Sequence, residues 1–452
     1  METLEKKERF TLTETIRTSQ TTRIILICLM TLLLQIPISM IDGTIRERQS
    51  RNNEAAEEVA TKWGREQTII GPIVTVPYEV EVIQYGNGLP VEGKKAARVE
   101  YAHFLAKDLH IEAISENLFR HRGIFDIPVY RVDLQLKGRF SRPTFTDLEE
   151  KPSTILWDKA VLTLLVSDPR AITRQAAVEW NGEKLEFQPG TWEFLGKGKR
   201  IQVMLKNRLT ESEEFNFSSH LTLQGSGGLF FAPMGENTTA AIESNWPDPS
   251  FQGEWLPVEQ SVTENGFRAS WQVSSLGRNF SQQWVDRPDT DIQARADLFG
   301  VNFIEPVNSY RMTDRSVKYQ ILFLGLTFIT LWLFEVLAGL RLHPLQYLLV
   351  GCGMCLFYLL ELSLAEHIGF LKAYIVAASS IVFLQGGYCM AILRSARRAA
   401  MISAFIGLLY GYLYTLLIKQ DYALLAGSIG LFLLLAVVMF LTRKIDWYGL
   451  RV

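Results

Sequence analysis

Six apolar runs, each long enough to cross a bilayer, constrain this chain more than any other feature. The first occupies residues 24–41, between Arg23 and Asp42. The others occupy 321–340, 345–364, 373–393, 400–418 and 423–441. A helix needs about 20 apolar residues to span roughly 30 Å of hydrocarbon. Inside lipid only helices and closed barrels satisfy every backbone polar group, so these runs predict six transmembrane helices. The mean hydropathy of +0.09 hides this, because residues 43–318 carry dispersed charge as a water-exposed domain does. The exit of the first run, Ser39-Met40-Ile41-Asp42, lacks the small-x-small pattern of a cleaved signal peptide, which predicts an uncleaved anchor.

Charge between the runs orients them. Arg341, then Arg394, Arg397 and Arg398, then Arg443, Lys444 and Arg451 fall on one side. The alternate breaks hold only Lys372 and Lys419. The positive-inside rule places the richer side in the cytoplasm. The expected order follows: a cytoplasmic segment at 1–23, a first helix at 24–41, an extracytoplasmic domain at 42–318, five helices within 319–441 and a cytoplasmic tail at 442–452. Lys6, Lys7, Arg9, Arg17 and Arg23 precede the first helix, but Arg46, Arg48 and Arg51 follow it closely, so the parity of six spans carries this orientation. Thr31, Gln35 and Ser39 recur every four residues and predict a polar face turned toward other helices. Gly407 with Gly411, and Ala426 with Gly430, have the spacing that lets helix backbones approach closely.

Residues 42–63 have helical spacing in Ile45, Ala55, Val59 and Trp63, with Gly64 as the stop. Period-two patterns follow at 69–76 (interrupted by Gly71-Pro72), 80–85, 97–105, 130–140, 201–205, 220–223 and 267–273, with a buried-type run at 161–166. A turn is expected at Gly86-Asn87-Gly88. The clearest hairpin is 178–187, where Asn181-Gly182 supplies the positive φ angles of a type I′ turn. The expected fold class is mixed: a β-rich, sandwich-like extracytoplasmic domain of one or two subdomains, plus a six-helix transmembrane bundle.

The bulk chemistry excludes several classes. A net charge of −2 offers no basic field for nucleic acid. Cys28, Cys352, Cys355 and Cys389 all lie in apolar runs, so the extracytoplasmic domain has no disulfide framework. Cys352-Gly353-Met354-Cys355 has redox spacing but sits in an apolar helix, where thiolate chemistry is disfavoured. His103, His110, His121, His220, His343 and His367 show no metal-ligand spacing, and His103 and His110 fall on opposite faces of a continuous strand. Gln224-Gly225-Ser226-Gly227-Gly228 reads as a turn and not as a nucleophile elbow. No catalytic residue, cofactor or metal is expected. Carboxylates within the apolar block are costly and often functional. Glu335, His343, Glu361, Glu366 and His367 are therefore the candidate functional residues. A proton or ion relay is one reading; the other is interfacial snorkelling, or a pairing such as Glu335 with Arg341.

Several stretches together resemble the CreD family of bacterial inner-membrane proteins. They include Ile45-Arg46-Glu47-Arg48, Glu58-Val59-Ala60, Trp63-Gly64, Gly71-Pro72 and Val76-Pro77-Tyr78. Arg122-Gly123-Ile124-Phe125 and Pro128-Val129-Tyr130 follow, then the run from Ser244-Asn245-Trp246-Pro247 to Gly253 and Gly266-Phe267-Arg268-Ala269-Ser270-Trp271. The pattern continues through Phe334-Glu335-Val336 and His343-Pro344-Leu345-Gln346-Tyr347 to Glu366-His367-Ile368-Gly369-Phe370. Asp248 stands where the family pattern leads one to expect His. The resemblance implies a Gram-negative inner-membrane protein linked to envelope integrity, colicin tolerance and cell-wall stress, regulated by a two-component system. It brings no catalytic residues.

Three functions are therefore compared. The first is a non-enzymatic envelope protein whose β domain binds a periplasmic protein, envelope polymer or lipid, with the bilayer as its constant partner. Trp246, Phe251 and Trp255 are the candidate contact loop, against the alternative that they fill the core. The second is a transporter or flippase using Glu335 and Glu361; no inverted repeat supports it. The third, a periplasmic hydrolase, lacks a cluster of acid, base and nucleophile. Oligomeric state is not legible.

Overall fold

The computed structural model describes residues 20–86, 89–146, 148, 150–190, 199–286, 296–303, 309–338, 342–393, 395–419 and 422–443. Arg341, Arg394, Lys444 and Arg451, the basic residues before Arg23 and the centre of the Gly86-Asn87-Gly88 turn lie outside them. The chain divides into two compact units, Met1–Asn52 with Val307–Val452, and Asn53–Pro306.

The second unit begins with the end of a helix and continues as one large, mainly antiparallel sheet, nearly closed like a barrel. In chain order its strands are β1 Gln67–Gly86, β2 Leu89–Arg122, β3 Phe125–Ser141, β4 Thr154–Ile155, β5 Val161–Val166 and β6 Ala177–Trp180. Then come β7 Glu183–Glu186, β8 Gln188–Pro189, β9 Arg200–Met204, β10 Glu214–Gly225, β11 Gly228–Phe231 and β12 Gly235–Ser244. The last are β13 Pro249–Gly253, β14 Glu259–Thr263, β15 Gly266–Ser274, β16 Gln283–Val285 and β17 Phe299–Phe303. Two long strands join everything. β2 pairs with β1 (Ile73 opposite Leu105) through its first half and with β3 (Asp108 opposite Arg139) through its second. β10 extends the sheet from β3, and β12 lies parallel to β2. With all strands linked, the β-rich domain is one unit.

Sequence explains the inside. Along β3, Val132, Leu134 and Leu136 are buried while Arg131, Asp133 and Lys137 are exposed, the alternation that a pleated strand imposes. β5 is buried at every position because it is covered on both faces. Trp180 stacks on Phe215 at 5.6 Å and lies 5.8 Å from Phe140. Each such ring, fully buried, contributes about 1.5–3 kcal/mol. Asn181 (φ 48°) and Gly182 (φ 86°) make the expected tight turn between β6 and β7. Gly71-Pro72 does not interrupt β1; the strand passes through it with a register shift between Ile70 and Ile73.

The other unit is helical. α1 is Gln20–Leu33, and α2 runs from Gln35 to Trp63, where Gly64 (φ +148°) ends it. A side chain at Gly64 would stand 2.6 Å from the Gln224 carbonyl oxygen, so both conformation and space require glycine. After the β unit come α3 Ser309–Lys318, α4 Gln320–Ala338, α5 Pro344–Ile368, α6 Phe370–Leu393, α7 Ala396–Ile418 and α8 Ala423–Thr442. Among the described residues, five helices are long and apolar enough to cross a membrane, with Arg23–Trp63 (α1 and α2) counted as one, and six if the pair α3 and α4, bent by 46°, is one span. α3 falls in residues expected to belong to the extracytoplasmic domain. Its charges masked it, but Tyr310, Thr313, Ser316 and Val317 form a buried helical face.

Small residues set the packing of the last helix. The Tyr412 hydroxyl of α7 donates to the Ala426 carbonyl at 2.6 Å, and a Cβ at Gly430 would meet that hydroxyl at 2.1 Å. The Ala426 and Gly430 spacing thus seats a tyrosine. Of the Thr31, Gln35 and Ser39 stripe only Gln35 reaches another helix, accepting from Gln320 at 2.6 Å. Thr31 and Ser39 bond to carbonyls of their own helix, and the buried face is Leu34, Ile38, Ile41 and Ile45.

Candidate functional site

Three carboxylates of the helical unit are withdrawn from solvent, and each is held differently. Glu335, near the end of α4, is 4% exposed. It pairs with Arg23 of α1, accepts the Tyr347 hydroxyl of α5 at 3.0 Å and accepts the Leu342 amide at 3.2 Å. The alternative partner, Arg341, is outside the described residues. Glu366, in the last turn of α5, accepts the Tyr310 hydroxyl of α3 at 2.9 Å and pairs with Arg48 of α2 at 3.6 Å. Its side chain is 8% exposed. These two sites bracket the first helix, because Arg23 and Arg48 are separated by about 37 Å of helix at 1.5 Å per residue. A partly buried ion pair of this kind orders helices, and removing one partner leaves an uncompensated charge.

Glu361 is different. It is 0% exposed, two turns inside the end of α5. Its Oε2 lies 3.1 Å from the Ser316 hydroxyl of α3, and its Oε1 has no hydrogen-bond partner among the described residues. Around it stand Tyr358 on its own helix, Tyr374 on α6 and Tyr410 on α7. The Tyr374 hydroxyl donates to the Tyr410 carbonyl at 2.6 Å, and the Tyr410 hydroxyl is buried without a partner among the described residues. The Phe357 ring packs at 4.5 Å from that of Tyr410.

The two candidate histidines do other things. His343 caps α5: its Nδ1 accepts from the Leu345 amide at 3.2 Å, and its own amide donates to Gln346 Oε1 at 2.9 Å, a reciprocal capping box. His367 is exposed in the last turn of α5. Among the described residues no group of three His, Cys, Asp or Glu is arranged to hold a metal ion.

The candidate contact loop is largely interior. Trp246 is 7% exposed, its ring 6.0 Å from Phe119. Phe251 packs edge-on against Phe267 at 5.6 Å and Trp271 at 5.7 Å. Trp255 sits edge-on 6.4 Å from Phe299, and its carbonyl accepts from Trp271 Nε1. Asp248 is exposed in the bend before β13.

In the β unit several isolated polar side chains have structural partners. His103 is buried on β2 with its Nδ1 2.9 Å from Thr75 Oγ1, and burial pushes its pKa down to about 3. His110, on the opposite face, is exposed and meets Thr239 Oγ1 at 2.6 Å. Arg278 donates to the carbonyls of Pro233 and Gly235, and burial lowers its pKa to about 10. Ser226 donates to the Gly64 carbonyl at 2.9 Å and so closes the helix end. The β2–β3 hairpin holds the end of α2: Arg122 makes two hydrogen bonds to Glu58, and the Arg120 guanidinium lies 4.1 Å over the Trp63 ring.

Sequence reading missed Arg23, Arg48, Tyr310 and Ser316 as partners of the carboxylates. The three-and-four spacing of Tyr310, Thr313 and Val317, with Ser316 beside it, was the available signal. Nothing local pointed from Arg48 to a residue more than three hundred positions away.

The sequence model of the family described as Inner membrane protein CreD matches residues 19–448. A curated relative, Inner membrane protein CreD of Escherichia coli (strain K12), is 34% identical over 419 residues, 92% of this chain and 91% of that protein. Among solved structures, an M1 zinc metallopeptidase from Deinococcus radiodurans aligns at 8% identity with a TM-score of 0.20, over 48% of this chain and 53% of that one. This chain therefore spans about half of that structure. A mutant form of the same enzyme aligns at 9% identity over 72% and 92%, with a TM-score of 0.21. Likenesses this slight carry no argument about fold or chemistry.

Proposed function

The chain belongs to the CreD family of inner membrane proteins, and from that premise we propose that it supports envelope integrity without catalysis, as a firmly held binding domain. In this reading residues 42–318 face the periplasm and both termini lie in the cytoplasm, as the alternation of basic residues favours. The β unit binds a periplasmic protein, envelope polymer or lipid, and the helical unit anchors it during cell-wall stress or colicin attack. One observation carries the anchor. Arg48 lies on the helix that leads toward the β unit in the chain, and Tyr310 lies on the helix that follows it. Both meet the Glu366 carboxylate of α5. One side chain thus ties the incoming and returning segments to the bundle.

A complementation experiment tests this. In cells lacking their own copy, Arg48→Ala with Glu366→Ala is expected to lose protection against cell-wall antibiotics at unchanged membrane level. Glu361→Gln is expected to keep it. The opposite pattern would favour the second reading, a transporter or flippase of an envelope component, for which the uncompensated Glu361 is the supporting observation.

A further inference from the structure

The anchor uses Glu335 and Glu366; it has no use for Glu361. That carboxyl is fully buried, and among the described residues no cation forms an ion pair with it. The nearest guanidinium in sequence to its partner Ser316, that of Arg315, is directed at the Leu416 carbonyl of α7 at 3.4 Å. The remaining titratable groups facing Glu361 are tyrosines: Tyr358 from α5, Tyr374 from α6 and Tyr410 from α7. An ionised carboxylate needs donors at both oxygens, whereas a neutral acid tolerates a bare carbonyl oxygen far better. The geometry matches the acid. Oε2 has one hydroxyl neighbour and Oε1 has none among the described residues.

We propose that Glu361 is a reversible proton-binding site within the helical bundle, read by Ser316 of α3. A metal cation is a poor occupant, since hard cations take six or more oxygens and this pocket offers one carboxyl and a few hydroxyls. In the loaded state the proton sits on Oε2, and the 3.1 Å bond to Ser316 runs from Oε2–H to Oγ; in the released state it runs from the Ser316 hydroxyl to Oε2. On release the proton passes from Oε2 to a water molecule, giving carboxylate and hydronium. The carboxylate then draws donors: the Ser316 hydroxyl, and for Oε1 the Tyr410 hydroxyl, which is buried without a partner among the described residues. Ser316 belongs to α3, the first described helix after the β unit and the one bent by 46° from α4. Loading and release therefore change the bond that holds this bent helix against α5.

Infrared difference spectroscopy of the full chain in lipid nanodiscs, between neutral and alkaline buffer, tests the proposal. The expected result is a protonated-carboxyl C=O band at neutral pH that bleaches reversibly on alkalinisation. Glu361→Gln should remove that band, and Glu335→Gln should leave it. Ser316→Ala keeps the acid and should shift the band in frequency, so this arm decides the matter if the glutamine variant does not fold. A band that survives Glu361→Gln, never bleaches, or is unmoved by Ser316→Ala would overturn the proposal. None of these outcomes depends on what the β unit binds, so failure here is separate from failure of the anchor reading.

Discussion

Burial decides what individual side chains do in this molecule. His103 shows the effect in the β unit. Its ordinary pKa of 6.5 falls to about 3 because the charged ring would lose its hydration, with Arg200 adding repulsion. The unfolded chain therefore binds a proton below about 6.5 that the folded chain refuses until about 3. Stability contributed by this group is complete above 6.5 and drains as pH falls through that window, at about 1.4 kcal/mol per unit. The thermal midpoint of the β signal, followed by circular dichroism, should fall over that interval. It should fall less in His103→Gln; an identical slope in the variant would assign the acid sensitivity to other groups. The same physics separates Glu335 and Glu366, which have cationic partners, from Glu361, which has none among the described residues.

Elements are joined here by a few long-range polar contacts laid over apolar packing. α4 runs antiparallel to the first helix, because Gln320 meets Gln35 while Glu335 meets Arg23. Lipid supplies no hydrophobic drive between helices, so such contacts fix register. Arg23→Ala should destabilise the helical unit by about 3 kcal/mol, the usual result of stranding one member of a buried pair. Arg23→Glu combined with Glu335→Arg should recover a good part of that loss. Unfolding in mild detergent measures both, and a swap no more stable than the single variants would show that the pair does not couple the helices. α8, by contrast, shows almost its whole apolar surface outward, Leu424 and Phe432 included, and is joined through Tyr412. It is the helix whose loss the rest should tolerate best.

At the scale of the whole molecule, two units alternate along the chain: the helical unit's first part to Asn52, then the β unit, then the remaining helices from Val307. The proposed orientation makes a direct forecast. A reporter active only in the periplasm should be active when fused after Gly64 and silent when fused after Arg398. Activity at Arg398 would reverse the bundle and with it the periplasmic placement of the β unit.

The apolar runs, the helix ending at Gly64 and the Asn181-Gly182 hairpin were legible from sequence because each rests on local physics: the length needed to cross lipid, a required positive φ, a tight turn. Much of the sheet was not. β12 is rich in Thr and Ala, and β2 runs on to Arg122 well past its recognisable alternation, because both are fixed by neighbours distant in sequence. The candidate carboxylates could be named, but their roles could not. Glu335 and Glu361 look alike in the string of residues, each a lone acid in an apolar run. Only the folded chain brings Arg23 to one and, among the described residues, no cation to the other. A buried charge takes its meaning from what surrounds it, and the cation that meets Glu335 comes from a helix 312 residues away.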